Sequence, residues 1–231
     1  MAKKKRHIIK IILLLITLIA LLFAAGYTYY IKSATKPVND TMLSAMRERN
    51  NNAWNKDTIL SCVKILRSGD LIVRTGIDVT SYGLSRMNAL DKTYSHCGLV
   101  MIENGYPFIY HSIGGEDNPD ATLRRDSVRF FLSPRNNFGF GIVRYDLDTS
   151  QIARLSTVVK RYYAEKRKFD LDFDLDTDDK LYCAEFVYKA VNEATKEPYL
   201  QPISFFGHKY IGVDNLYMNK HASMICQVKF K

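Results

Sequence analysis

The first 36 residues contain no acidic side chain, and the whole chain of 231 residues has one tryptophan, no CxxC pair and no internal repeat. Without CxxC or a Cys/His run at ligand spacing there is no sequence signal for a structural zinc site. No cysteine follows the N-terminal apolar run closely enough to suggest a lipid-modified terminus. The missing acids also explain the charge. Seven of the 33 basic residues fall in positions 1 to 36, so the rest of the chain carries 26 basic against 24 acidic groups, and most of the formal +9 belongs to the N-terminus. A nucleic-acid partner is therefore not needed to explain the charge.

What is present at that end is a basic cluster, Lys3, Lys4, Lys5, Arg6 and Lys10, followed by an apolar run from Ile11 to Tyr30. Twenty residues at about 1.5 Å each reach the ~30 Å of a bilayer core. Lysines and arginine before the run, with Tyr27, Tyr29 and Tyr30 after it, predict an N-inside helix with the remaining chain outside the cytoplasm, in the periplasm or at the cell exterior. Ala24-Ala25-Gly26 keeps a cleaved signal sequence open as the rival. The domain reading is an anchor over 1–32, a polar juxtamembrane spacer over 33–56 with a short segment of helical character over 41–49, and one domain over 57–231, large enough for a packed core.

Within that domain, Asp57-Thr58 is expected to cap a helix over 59–67. Ser68-Gly69-Asp70 then turns into the strand Leu71-Ile72-Val73-Arg74. Residues 81–90 fit helix or loop. Asn104-Gly105 between two apolar runs predicts a hairpin of 95–103 with 106–112, which puts His96 and His111 on adjacent antiparallel strands. Residues 114–139 read as a long loop with some structure around 128–132, followed by a strand at 141–145. Ile152, Leu155, Val158, Val159 and Tyr162 predict a helix over 150–166. Alternating Phe169, Leu171, Phe173 and Leu175 with Asp170, Asp172, Asp174 and Asp176 predicts an extended segment. A helix is expected from Cys183 to about Thr195, with Pro198 beyond it, and a final strand over 224–230.

Cys183 at the start of a helix, with His96 and His111 on a hairpin, are the parts of a Cys-His acyl-transfer site. A helix N-terminus favours the thiolate. The Cys183 N–H could donate to an oxyanion, His96 would act as base and then acid, and His111 would fix the His96 tautomer. The plain alternative is that Cys183 is apolar filler on a helix carrying Ala184, Val187, Ala190 and Val191, and that the strand histidines are structural. Cys97 is the weaker nucleophile, since strand alternation points it away from His96. Cys62 and Cys226, at opposite ends of the domain, could bridge. Asp174, Asp176, Asp178 and Glu185 sit at calcium-loop spacing, but Asp179 stands where that loop needs glycine, so a solvated loop is the better reading. No metal or cofactor is expected.

The order of these motifs resembles the YiiX-like permuted papain-fold hydrolases, relatives of the NlpC-type cell-wall amidases. The resemblance rests on Ser68 to Arg74, on Tyr94-Ser95-His96-Cys97-Gly98-Leu99-Val100, on Ile109-Tyr110-His111, and on Tyr182-Cys183-Ala184-Glu185-Phe186-Val187, and it covers roughly residues 60 to 225. The histidines precede the cysteine here, as in the circularly permuted order. The resemblance implies an α+β fold, an antiparallel sheet packed against the helix that begins at Cys183, with Cys183 as nucleophile, His96 as base and His111 as the third polar residue. YiiX-like sequences often carry a carboxylate where His111 stands, while the NlpC-type pattern carries histidine there. The implied activity is hydrolysis of amide or peptide bonds in cell-wall peptides or amino-acid conjugates. The lecithin retinol acyltransferase type, with the same His-then-Cys order and lipid acyl substrates, and a non-catalytic envelope binding protein remain the alternatives.

Overall fold

Side-chain alternation along the central strands sends apolar groups to both faces of one sheet, so the sheet must be covered on both sides. The computed structural model describes residues 2–34, 40–115, 118, 120–205 and 207–231, and the side chains of 2–8, 31, 33, 34 and 205 are outside the description. It forms two compact units, residues 1–40 and 41–231.

The smaller unit is the helix α1 (Ala2–Ala34). Its stretch Ile9–Tyr30, 22 residues with mean hydropathy 2.7 and none of its length buried, is long and apolar enough to cross a membrane.

The larger unit begins with α2 (Asp40–Asn51) and α3 (Ala53–Val63). The segment expected to be a spacer is thus largely helical. Asn55 within it is fully buried, donating to Lys231 O at 2.9 Å and accepting from Lys231 N at 3.0 Å. The N-cap is Asn52, whose side chain accepts from Asn55 N, rather than Asp57-Thr58.

There follow β1 (Leu71–Gly76), α4 (Val79–Met87), β2 (His96–Glu103), β3 (Tyr106–His111), β4 (Arg124–Ser127), the short α5 (Val128–Phe131), β5 (Asn137–Tyr145) and α6 (Thr149–Ala164). The chain is completed by α7 (Cys183–Thr195), β6 (Ile203–Phe205), β7 (His208–Tyr210), α8 (Val213–Tyr217) and β8 (Ala222–Lys229). Six strands form an antiparallel sheet in the order β4-β3-β2-β1-β5-β8, and β6 and β7 make a separate hairpin. The molecule is α+β, as expected.

One face of the sheet presents Leu71, Val73, Cys97, Leu99, Met101, Tyr110 and Val143 to α6 and α7. Leu155, Val159, Phe186, Val187 and Val191 of those helices complete that core. The other face presents Ile72, Val100, Ile109, Phe140 and Ile142 to Ile59 and Cys62 of α3 and to Phe131 of α5. Three large apolar α7 side chains, Phe186, Val187 and Val191, are fully buried, and each stabilises the fold by roughly 1.5–3 kcal/mol. The Cys183 helix is therefore built into the core.

The aspartate-rich segment is not a strand. Asp170 is buried and its carboxylate accepts from the backbone N–H of Asp172 at 2.9 Å and Asp174 at 2.7 Å, curling the chain into turns. Short acidic side chains capture nearby amides in this way, and local capture outweighed the period-2 pattern.

Candidate active site

The Asn104-Gly105 turn places both residues at positive φ, 50° and 83°, which fixes the β2–β3 register. That register pairs Leu99 with Tyr110 and Val100 with Ile109, bringing the start of β2 beside the end of β3. His96 Nε2 and His111 Nδ1 are 2.9 Å apart. Gly98 makes this closeness possible. A Cβ built there would lie 2.7 Å from Ile109 Cγ2 and from Tyr110 O, and 3.0 Å from His111 Cβ.

The chain of contacts continues to a residue that the sequence reading missed. His111 Nε2 meets Asp126 Oδ2 at 2.9 Å, and Asp126 Oδ1 accepts from Arg124 Nη2 at 3.0 Å. Asp126 lies opposite Ile109 in the β3–β4 register, which puts it on the same face as His111. The only sequence clue was the Arg124-Arg125 pair inside a supposed loop, and nothing there indicated a strand edge beside His111.

Phe131 packs against both rings, at centroid distances of 5.5 Å to His96 and 4.9 Å to His111. Arg74, opposite His96 in β1, lies over the Phe131 ring at 4.8 Å. Burial first, and then the Arg74 charge and the neighbouring ring, hold His96 well below its ordinary 6.5. His111 is also lowered, burial prevailing over the opposing pull of its bond to Asp126. Both imidazoles are thus neutral at pH 7 in the folded protein. Arg74, His111, Arg124, Asp126 and Phe131 line a small cavity beside this array.

Cys183 begins α7 as expected. Glu185 accepts from Tyr182 N at 3.0 Å, closing the first turn, and Ser112, which follows His111, donates its hydroxyl to Leu181 O. The end of β3 is thereby tied to the segment that delivers the cysteine. The Cys183 thiol is lowered from 9.0, chiefly by a hydrogen bond from Cys97, against burial, and with help from the backbone N–H of Ala184. Burial pushes Cys97 in the opposite direction, well above its ordinary value.

The structure brings His96 and His111 into contact and sets the Cys183 sulfur against Cys97. Among the described residues no hydrogen bond joins Cys183 to either imidazole. The reason is alternation in β2: His96 and Cys97 are consecutive, so their side chains leave on opposite faces, one toward Phe131 and one toward α7. A sulfur that rests on Cys97 lies, like Cys97 itself, on the face of β2 opposite His96. His208 is exposed on β7, and His221 stacks on Tyr199 at 4.2 Å, both apart from these contacts.

No family model matches the sequence. The chain is 23% identical over 130 residues to the uncharacterized protein YiiX of Escherichia coli strain K12, a match covering 55% of this chain and 58% of that protein. The chain thus matches little more than half the length of that relative. Its fold matches the crystal structure of the metalloprotein YiiX from Escherichia coli O157:H7 with a TM-score of 0.58 and 15% identity, over 71% of this chain and 98% of the other. The chain is YiiX-like in sequence and in fold.

The word metalloprotein describes that relative. In this chain both ring nitrogens of His111 are engaged, by His96 and by Asp126, so the donor set is turned on itself. Among the described residues no group of three or more His, Cys, Asp or Glu side chains is arranged to hold a metal ion. These residues, bonded to one another, do not fit a resident cation.

Proposed function

We propose that this protein is a membrane-anchored cysteine hydrolase of the permuted papain-like type, cleaving amide or peptide bonds through an acyl-enzyme. Residues 1–32 form the anchor, with the N-terminus cytoplasmic and the hydrolase domain on the far side of the membrane. Cys183 is the nucleophile, His96 the base, and His111 the residue that orients His96, with Asp126 behind it. One observation carries the reading: the His96–His111–Asp126 hydrogen-bond chain lies on strands tied, through the Ser112 bond to Leu181 O, to the segment that starts α7 at a cysteine whose thiol is lowered.

In this reading the Cys183 proton passes to neutral His96, and sulfur bonds the substrate carbonyl carbon while the C=O electron pair moves onto oxygen. The Cys183 N–H at the head of α7 donates to that oxyanion, an interaction worth about 3 to 4 kcal/mol in comparable sites. His96 returns the proton to the departing amine, and water then hydrolyses the thioester. His111 occupies Nε2 of His96, which leaves Nδ1 for the sulfur. For this, the head of α7 and the start of β2 move when substrate binds, so that the Cys183 sulfur leaves Cys97 for His96; catalytic hydrogen bonds commonly tighten only in the substrate complex.

The resting separation of sulfur and imidazole is the observation that favours a second reading, a non-catalytic envelope binding protein. A thiol-reactive probe decides between them. Stoichiometric labelling of Cys183 near neutral pH, slowed at least tenfold in His96→Ala, supports the hydrolase, and labelling indifferent to His96 supports the binding protein. Peptidoglycan stem peptides and acyl lipids offered side by side, with the trapped thioester weighed by mass spectrometry, separate an amidase from an acyltransferase of the lecithin retinol type.

A further inference from the structure

Cys62 and Cys226 lie 164 positions apart in the chain, yet their sulfur atoms are 2.8 Å from each other. Cys62 sits near the end of α3 and Cys226 sits in β8, opposite Ile142 of β5. The two elements are already fastened at their other ends by the reciprocal Asn55–Lys231 hydrogen bonds. Both cysteines are thiols in this structure. Cys62 is buried among Ile59, Leu66 and Phe230, whereas Cys226 is only partly buried.

We propose that Cys62 and Cys226 form a modification site, a dithiol that closes to a disulfide when a disulfide-class oxidant reaches the domain and so locks α3 onto the last strand of the sheet. The difference in exposure sets the order of events. The Cys226 thiolate attacks the oxidant, bonding one of its sulfurs and releasing the other as a thiol. Cys62 then gives up its proton, bonds the Cys226 sulfur and expels the second thiol, so two thiol hydrogens end on two reduced oxidant molecules. Burial pushes the Cys62 thiol up to about 12, so free Cys62 is a poor first attacker; its role as resolving thiol rests on contact distance.

The Cys97–Cys183 pair under α7 is also in contact, but it forms part of the proposed catalytic site. A link across so long a loop restricts the unfolded chain far more than the folded one, where the partners are already adjacent. The proposal does not depend on hydrolase activity.

The test uses the full-length chain in detergent, treated with oxidised glutathione under native conditions, quenched in acid and alkylated after unfolding. The expected result is a disulfide-linked peptide pair containing Cys62 and Cys226 that escapes alkylation and is lighter than the two thiols by two hydrogens. The thermal midpoint should rise by roughly 5 °C or more and return on reduction. Cys62→Ser should instead retain glutathione on Cys226. The proposal is overturned if both cysteines are recovered alkylated in the wild-type chain, or if Cys226 stops as the glutathione adduct while Cys62 remains free.

Discussion

His96 and His111 share a hydrogen bond of 2.9 Å between Nε2 and Nδ1, and both rings rest on Phe131. With His111 Nε2 held by Asp126, one proton on each ring satisfies the chain if Asp126 accepts from His111 and His111 Nδ1 accepts from His96. That tautomer leaves His96 Nδ1 unprotonated, the form a general base requires.

Removing members of this site should have unequal effects. Cys183→Ala is expected to reduce hydrolysis to background. His111→Ala and Asp126→Asn should leave measurable turnover, reduced on the order of 10²-fold, because orienting a base is worth less than supplying the nucleophile. Steady-state rates on a cleavable amide check this, and equal losses in Cys183→Ala and His111→Ala would remove His111 from the orienting role.

The Cys97 bond is what chiefly lowers the Cys183 thiol. Cys97→Ala should therefore move the alkylation-rate profile of Cys183 to higher pH. Iodoacetamide kinetics between pH 6 and 10 give the midpoint directly, and an unmoved midpoint would show that the helix N-terminus alone sets it.

Stability should fall on the acid side of neutrality. Burial holds His96 and His111 below 6.5 when folded. As pH falls through 6.5 the unfolded chain takes up protons that the folded chain refuses, so stability complete above that pH is progressively lost below it. Asp126, lowered from 3.8, contributes its own loss only in more acidic solution. Urea midpoints at pH 7.5, 6.5 and 5.5 should decline, and the decline should be shallower in His96→Gln.

Gly98→Ala should loosen the hairpin at the site. The added methyl meets backbone at Tyr110 O and the Cβ of His111, neither of which is a flexible side-chain end. A loss of about 1–3 kcal/mol is expected, with activity falling more than stability because His111 shifts from His96. Thermal unfolding and turnover measured together separate the two effects.

Asn55→Ala should cost about 1–2 kcal/mol, since it removes a fully buried side chain that bonds both the N–H and the C=O of the exposed Lys231. Denaturation of the full chain reads this out, and a change below about 0.5 kcal/mol would mean the C-terminus is held chiefly by Phe230.

The hairpin was legible because Asn-Gly specifies a turn whose geometry fixes register, and register alone brings His96 beside His111. The α7 start was legible from the apolar spacing after Cys183. Asp126 was not, because a four-residue edge strand rich in charge looks like loop until β3 supplies its hydrogen bonds. The helical character of 41–49 was legible, but its place in the domain was not. Its polar composition suits a spacer, and only the docking of Asn55 on Lys231 gives it a place in the domain.

By itself the sequence determined the apolar N-terminal helix, the two histidine strands and the cysteine at a helix start, since each follows from local spacing and turn chemistry, while the antiparallel α+β character was what the resemblance implied. Tertiary structure alone decided which side of the sheet each group occupies. Consecutive residues in a strand face opposite ways, so the packing of α7 on the Cys97 face and of α5 on the His96 face set the resting positions of sulfur and imidazole. It also placed Asp126 behind His111 and Cys226 against Cys62, contacts made across distances in the chain that no local pattern encodes.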